Sequence, residues 1–324
     1  MKLIIQIPCY NEEKTLPITF GDLPKEIAGI DKLEYLIIDD GSKDRTVEIA
    51  KELGIHHIVK LPNNRGLAKA FMAGLDACLS LGADIIVNTD GDNQYNGHDI
   101  EALVTPILKG VADVVVGDRQ TDTIEHFSPL KKRLQKFGSW VVRRASSSNV
   151  IDTTSGFRAY SRDAAMKINV ISEYSYTLET IIEAGRRKAA IYNVPIGTNV
   201  QLRESRLFKN MWSYMKRSGS TIIRTYSMYR PLKVFLSTGI IMFLIGTVIG
   251  LRFLYFYLMN QGVGHIQSLI LSAILIMTGF QLGVFGLLAD AIAATRKIND
   301  ELLYRVKKLQ YDQDERDRAT DNKA

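Results

Sequence analysis

Residues 86 to 95 read IVNTDGDNQY, an apolar run that ends abruptly in two aspartates one residue apart, Asp90 and Asp92. A strand that stops on Asp-Gly-Asp is either turning or presenting carboxylates at the edge of a sheet. Similar runs rich in Ile and Val recur from Lys2 to Arg119: KLIIQIP, LEYLIIDD, HHIVKLP and ADVVVGDR, besides ADIIVNTD itself. Between them DRTVEIAKELG and GLAKAFMAGLDACLSLG carry helical periodicity. Strands alternating with helices predict an α/β fold on a mostly parallel sheet. Ligands of such sheets gather beyond the carboxyl ends of the strands. Those ends carry Asn11 and Glu12, Asp39 and Asp40, Asp90 and Asp92, and Asp118 and Arg119.

Each pair also has a plainer reading. Asp39 and Asp40 lead into GSKDRT, a turn opening a helix, where a carboxylate caps free N–H groups. A D-x-D alone is weak, since surface turns use the same residues, and Gly91 between the two permits a tight turn. The functional reading is a cation site: carboxylate oxygens, with Gln94 as a neutral third donor, suit Mg²⁺ or Mn²⁺, which complete their shells with water and phosphate.

The chain has 324 residues, 46% of them hydrophobic, enough for one large core and something more. The apolar residues are unevenly spread. Val234 to Gly250 is uncharged and apolar, and the aromatics Phe253, Tyr255, Phe256 and Tyr257 extend it past Arg252; a second run goes from Ile266 to Ala289. Both reach the roughly 20 residues that cross a bilayer. They lie late in the chain, and MKLIIQIP enters a strand directly, so the expectation is a cytoplasmic N-terminal part without a signal peptide. Lys209, Lys216, Arg217, Arg224, Arg230 and Lys233 precede the first run, Arg296 and Lys297 follow the second, and the connection NQGVGH has neither Lys nor Arg. The positive-inside rule then places both termini in the cytoplasm, in a multi-pass membrane protein.

Net charge is +6, with the basic residues clustered near the apolar runs, which points to membrane lipids or a phosphorylated lipid rather than nucleic acid. Cys9 and Cys78 lack metal-ligand spacing and read as reduced, structural thiols. Two segments look like amphipathic interface helices, LKKRLQKFGSWVVRRASS at 130–147 and the aromatic, basic stretch at 206–231. The tail from Gln310 to Ala324 is almost wholly polar and reads as disordered.

Five segments in order, IPCYNEE, DDGSKDRT, NNRGLAKA, TDGDNQY and TSGFRAYSRDA, together resemble family 2 glycosyltransferases with a GT-A fold. Within them the likeness is to the polyprenyl-phosphate, dolichyl-phosphate mannose synthase-like branch, with two C-terminal transmembrane helices. RESRLFK at 203–209 departs from that branch's Arg-x-x-Gly-x-Ser-Lys by lacking the glycine. The resemblance implies a GT-A domain at 1–205, an interface helix at 206–231, two transmembrane helices in 232–295 and a charged cytoplasmic tail at 296–324.

The resemblance also implies roles. Pro8, Tyr10, Asn11, Glu12, Asp39, Asp40, Asn64, Arg65, Gly66, Leu67 and Gly91 would border a nucleotide sugar, a UDP- or GDP-hexose. Asp90, Asp92 and Gln94 would carry Mg²⁺ or Mn²⁺ on its diphosphate. Arg119, Lys131, Arg133 and Arg203 would receive the phosphate of a polyprenyl acceptor, and Asp90, Asp92 and Arg119 would be the catalytic set. A homo-oligomer, a tetramer, is the assembly the resemblance implies. A phosphate acceptor is already anionic at neutral pH and needs no general base. Two alternatives stay open: transfer to a lipid or glycan hydroxyl, which would need a carboxylate base such as Asp152 or Glu179, and a non-catalytic membrane-anchored scaffold that binds nucleotide sugars.

Overall fold

The structure, a computed structural model, describes residues 1–120, 150–170, 176–199, 220, 227, 231–259 and 265–321. Seven strands form one sheet: β1 (Lys2–Cys9), β2 (Lys32–Asp39), β3 (His57–Lys60), β4 (Ile85–Asn88), β5 (Val114–Asp118), β6 (Arg158–Ser161) and β7 (Ile191–Pro195). Their spatial order is β3-β2-β1-β4-β6-β5-β7, and every neighbouring pair is parallel except the two that involve β6. The five strands expected from sequence are all present. β6 and β7 are additional, and β6 makes the sheet mixed.

Helices α1 (Leu16–Asp22), α2 (Thr46–Glu52), α3 (Leu67–Ser80), α4 (Ile100–Leu108), α5 (Arg162–Lys167) and α6 (Tyr176–Arg186) belong to the same compact unit. Consecutive residues such as Ile4 and Ile5, Leu36 and Ile37, and Ile86 and Val87 have no exposed surface. Both faces of the sheet are therefore covered, which explains why these strands read as continuous apolar runs instead of alternating ones. The chain winds from β1 outward to β3, then returns to place β4 on the other flank of β1. That reversal brings the IPCYNEE and TDGDNQY segments together beyond the carboxyl ends of β1 and β4, at the switch point of the sheet.

The second unit, Ile223–Leu302, contains α7 (Pro231–Leu258) and the first part of α8 (Ile266–Asp321). Both helices are long and apolar enough to cross a membrane. They pack backbone to backbone. A Cβ on Gly239 would lie 2.7 Å from the Gly279 carbonyl oxygen, and Ser272 Oγ donates to the Gly246 carbonyl at 2.7 Å. Close contact through small residues, sealed by an interhelical hydrogen bond, is how helices associate in lipid. Their remaining apolar side chains, Phe243, Val248 and Phe280 among them, are exposed as a lipid-facing surface would be.

The disordered tail expected from Gln310 onward is corrected by the structure: α8 stays helical to Asp321. Tyr304, Lys307 and Tyr311 share one face at i, i+3 and i+7 spacing and belong to the unit that contains the sheet, where they meet α3 and α5. Lys307 Nζ lies 2.8 Å from Asp76 of α3, the Tyr311 hydroxyl donates to the same carboxylate at 3.2 Å, and the Tyr304 hydroxyl donates to Asp163 of α5 at 2.7 Å. Tyr311 is buried by this contact. Polar composition alone suggested disorder from Gln310, whereas Tyr311 within that stretch, and Tyr304 and Lys307 just before it, find specific partners on α3 and α5.

Candidate active site

The loops after β1 and β2 are stitched together. Asn11 adopts a left-handed conformation, φ 56°, which Asn tolerates better than most residues. Its amide donates to Ser42 Oγ at 2.9 Å, and its side-chain oxygen accepts from the Lys43 amide at 2.8 Å. The buried Glu12 donates its amide to Thr46 Oγ1 at 2.8 Å and accepts from Thr15 Oγ1 at 2.6 Å. Asp39 accepts from the Ser42 amide at 2.9 Å and so closes the turn after β2, but it does not cap α2, whose N-cap is Arg45 with no side-chain cap hydrogen bond. Asp40 reaches the other way: its two oxygens accept from the amides of Arg65 at 2.7 Å and Gly66 at 2.9 Å. It thereby pins the Asn64–Leu67 turn that opens α3. Burial pushes the Asp40 carboxyl above its ordinary value, and these two amides only partly oppose that.

A cleft of about 650 Å³ lies between these loops, lined by Tyr10, Asp39, Lys43, Lys60, Pro62 and Asn64 among others. It offers an aromatic ring for stacking, a carboxylate that accepts hydroxyl hydrogens and two ammonium groups, the complement of a nucleoside diphosphate. Tyr10, Asp39 and Asn64 were expected there from sequence, but Lys43 and Lys60 were not.

Asp90 and Asp92 stand in a turn and not along a continuing strand, for β4 ends at Asn88 and Asn93 is left-handed at φ 57°. Asp92 accepts from the Gln94 amide at 3.2 Å, and the Gln94 carbonyl accepts from the Asn199 amide at 2.9 Å. Gly91 packs tightly, since a Cβ there would stand 3.1 Å from Cys9 Sγ and 3.4 Å from the Pro8 carbonyl. The two motif loops meet at the sheet's switch point.

Asp90 faces Gly156. A Cβ built on Gly156 would lie 3.2 and 3.3 Å from the Asp90 carboxylate oxygens and 2.7 Å from the Tyr176 hydroxyl. Gly156 is held from three sides. Its amide donates to the Tyr95 hydroxyl at 3.0 Å, and its carbonyl accepts from Asn88 Nδ2 at 2.9 Å and from the Tyr176 hydroxyl at 3.3 Å. Tyr95 stacks on Phe157 and Tyr176 on Phe71, so neither hydroxyl moves freely.

Arg119, just beyond β5, forms a forked pair with Asp152: Nε to Oδ2 at 2.7 Å and Nη2 to Oδ1 at 3.0 Å. Nη2 also donates to Thr154 Oγ1 at 2.7 Å. Asp152 further accepts from the amides of Thr154 and Ser155 at 3.2 and 3.1 Å and from Thr154 Oγ1 at 2.9 Å. Burial alone would raise the Asp152 carboxyl, but the Arg119 charge and these hydrogen bonds hold it below its ordinary value. Arg119 is displaced upward: burial opposes its charge, yet Tyr95, Asp152 and Asp90 overcome the penalty.

The donor set fits a hard divalent cation. Asp90 and Asp92 are half-buried carboxylates one residue apart, and among the described residues no three His, Cys, Asp or Glu side chains cluster as a closed metal cage. A cation at this pair would draw its remaining ligands from phosphate and water, as Mg²⁺ and Mn²⁺ ordinarily do. Lys131, Arg133 and Arg203 lie outside the described residues. Glu179 is buried on α6. Sequence reasoning missed Tyr95, Asn88, Tyr176 and Arg158 as parts of the site. Asn88 interrupting the apolar IIVN and Arg158 inside FRAY were the available signals.

The mixed, mostly parallel sheet of this order, with acidic turns gathered at its switch point, is the GT-A-like fold expected from the sequence. Residues 4–168 match the profile of glycosyl transferase family 2, and the chain belongs to that family. It is 33% identical over 216 residues to the UDP-N-acetylglucosamine–dolichyl-phosphate N-acetylglucosaminyltransferase of Methanococcus voltae, covering 59% of this chain and 83% of the relative. It is 26% identical over 314 residues to glycosyltransferase AglJ of Haloferax volcanii, covering 94% of this chain and 97% of the relative. Among solved structures, glucosyl-3-phosphoglycerate synthase of Mycobacterium tuberculosis, crystallised with Mn²⁺, UDP-glucose and phosphoglyceric acid, shares the fold. The TM-score is 0.55 at 21% identity, over 70% of this chain and 78% of that one.

Proposed function

We propose that the protein transfers a hexose from a UDP- or GDP-sugar to a polyprenyl phosphate at the cytoplasmic membrane face, with inversion at the sugar C1. The observation that carries the acceptor assignment is the state of Asp152. Its two oxygens are occupied by Arg119 and by loop N–H and O–H donors, and its carboxyl is held ionised by them. A group so engaged is a poor proton acceptor, and a hydroxyl acceptor would need one. A phosphate acceptor does not. Relatives named for transfer to dolichyl and undecaprenyl phosphates support the same reading.

In the proposed reaction the C1–O bond to the nucleoside diphosphate breaks as an acceptor phosphate oxygen bonds to C1 from the opposite face. The bonding pair leaves with the diphosphate, and no proton is transferred. Asp90 and Asp92 would hold a divalent cation, whose charge would offset the charge building on the leaving group. Tyr10 and Asp39 would orient the nucleoside in the 650 Å³ cleft, with Lys43 and Lys60 offsetting its phosphates. Arg119, fixed by Asp152, would face the incoming phosphate with Lys131, Arg133 and Arg203. The membrane helices would hold the acceptor chain, and a homo-oligomer, a tetramer in the simplest form, would be the assembly.

The test is a transfer assay with the full chain in detergent, Mg²⁺ or Mn²⁺, a short polyprenyl phosphate and a panel of UDP- and GDP-sugars. A lipid product from one donor, abolished by chelation and by Asp92→Ala, is expected. Donor consumed only with a glycan or lipid hydroxyl would overturn the acceptor assignment. Undiminished turnover by Asp92→Ala would overturn the metal site.

A further inference from the structure

Among the described residues, Arg158 is the largest side chain with no exposed surface. A guanidinium taken wholly out of water carries a penalty of several kcal/mol unless its donors are met, and an apolar residue of similar shape commonly serves stability as well. Arg158 donates through Nε to the Ser155 carbonyl at 2.8 Å, through Nη2 to the Thr153 carbonyl at 3.0 Å and through Nη1 to Thr180 Oγ1 at 2.6 Å. None of these acceptors is a carboxylate, so the contacts order backbone and do not cancel charge.

The placement of those carbonyls is informative. Arg158 of β6 is the direct cross-strand partner of Asn88 of β4. Cross-strand partners project from the same face of a sheet. Asn88 holds the Gly156 carbonyl, so this one rung grips the carbonyls of Thr153, Ser155 and Gly156. The gripped loop has two working ends. At one end Asp152 fixes Arg119, and at the other Gly156 abuts the Asp90 carboxylate. In the transfer reading above, on which this inference rests, those ends belong to the acceptor and to the donor.

We infer that Arg158 is a positioning residue for the transfer: by holding the Thr153 and Ser155 carbonyls it fixes the spacing between Arg119 and Asp90, and so between the two reacting phosphorylated substrates. A fixed donor–acceptor distance is worth much in rate, because a misplacement of about 1 Å can lower turnover about 100-fold. A lysine at 158 keeps the charge but cannot span three acceptors with a planar fork.

The experiment compares the full-length wild type with Arg158→Lys and Thr180→Val, the second removing only the hydroxyl that steadies Nη1. Three quantities are read: kcat and KM with whichever donor and acceptor the wild type uses in the panel above, the melting temperature, and hydrogen exchange of the 153–157 amides without ligand. The expected result for Arg158→Lys is exchange at least tenfold faster in that loop and kcat lowered at least tenfold, with the donor KM within threefold of wild type. Thr180→Val moves the same way by a smaller factor. Unchanged exchange, or kcat per folded molecule unchanged in both variants despite a lower melting temperature, would show Arg158 to be structural only and overturn the inference. Failure of the acceptor reading appears separately, as wild-type transfer to a hydroxyl instead of to the polyprenyl phosphate.

Discussion

Replacing Gly156 with alanine separates stability from catalysis in a way the structure quantifies. Gly156 has no left-handed backbone to lose, so in the folded state the effect comes from the new methyl. That methyl would stand 2.7 Å from the Tyr176 hydroxyl, whereas ordinary contact begins near 3.4 Å. The hydroxyl cannot retreat cheaply, because Asn88 donates to it at 2.9 Å and its ring stacks on Phe71 with centroids 4.0 Å apart. Overpacking of this kind costs about 2 kcal/mol, or about 4–8 °C for a domain of this size. Tyr176→Phe alone loses one buried hydrogen-bonding group, about 1 kcal/mol.

If the clash is with that hydroxyl, the double variant is about as stable as Tyr176→Phe alone, a coupling of about 2 kcal/mol between the sites. Activity follows another rule. The alanine methyl remains 3.2 and 3.3 Å from the Asp90 oxygens in both alanine variants, so kcat stays about tenfold low even where stability returns. The chain has only two cysteines, Cys9 and Cys78, and both are buried in the catalytic unit. A thiol-reactive fluorophore therefore reports the unfolding of that unit in detergent. Two results would refute the reasoning: additive losses of stability, which would remove Tyr176 from the argument, or activity recovering in step with stability, which would remove Asp90.

Asp152→Asn deprives the buried Arg119 of its counter-charge and should cost about 3–5 kcal/mol, a drop of roughly 6–20 °C by the same fluorescence assay. A collapse in kcat with the melting temperature unchanged would instead mark Asp152 as a base for a hydroxyl acceptor. Glu34 is buried, which raises its carboxyl, but Lys2, Lys32 and His57 together draw it down to about 2. Its folded value is depressed, so its contribution is complete above the unfolded carboxylate value of about 4.3 and fades as pH falls toward about 2. Glu34→Gln should lower the melting temperature at pH 7 and flatten its decline between roughly pH 4 and 2; parallel curves would contradict this. Asp76→Lys or Lys307→Asp should each speed proteolytic cleavage of the docked end of α8, and the charge-swapped double variant should restore resistance. Equal cleavage in all four proteins would mean that the pair does not hold the helix.

Much of this protein is written locally. The five apolar runs name their strands because burial on both faces demands continuous Ile and Val, and the carboxylates at their ends fall where a parallel sheet collects ligands. The two long apolar runs name, by length and composition, the two helices long enough to cross a membrane. Tertiary structure decided the rest. β6, four residues long, has too little pattern to announce an antiparallel strand inside a parallel sheet. The end of α8 is polar and reads as disordered until Asp76 and Asp163 meet it across more than a hundred residues of sequence. Asp152 is legible as a carboxylate that could act as a base, but only the fold sets the guanidinium of Arg119 against it and turns it into a holder. Residue type and spacing fix which atoms are available, and the partner each atom finds depends on contacts between segments that no local pattern encodes.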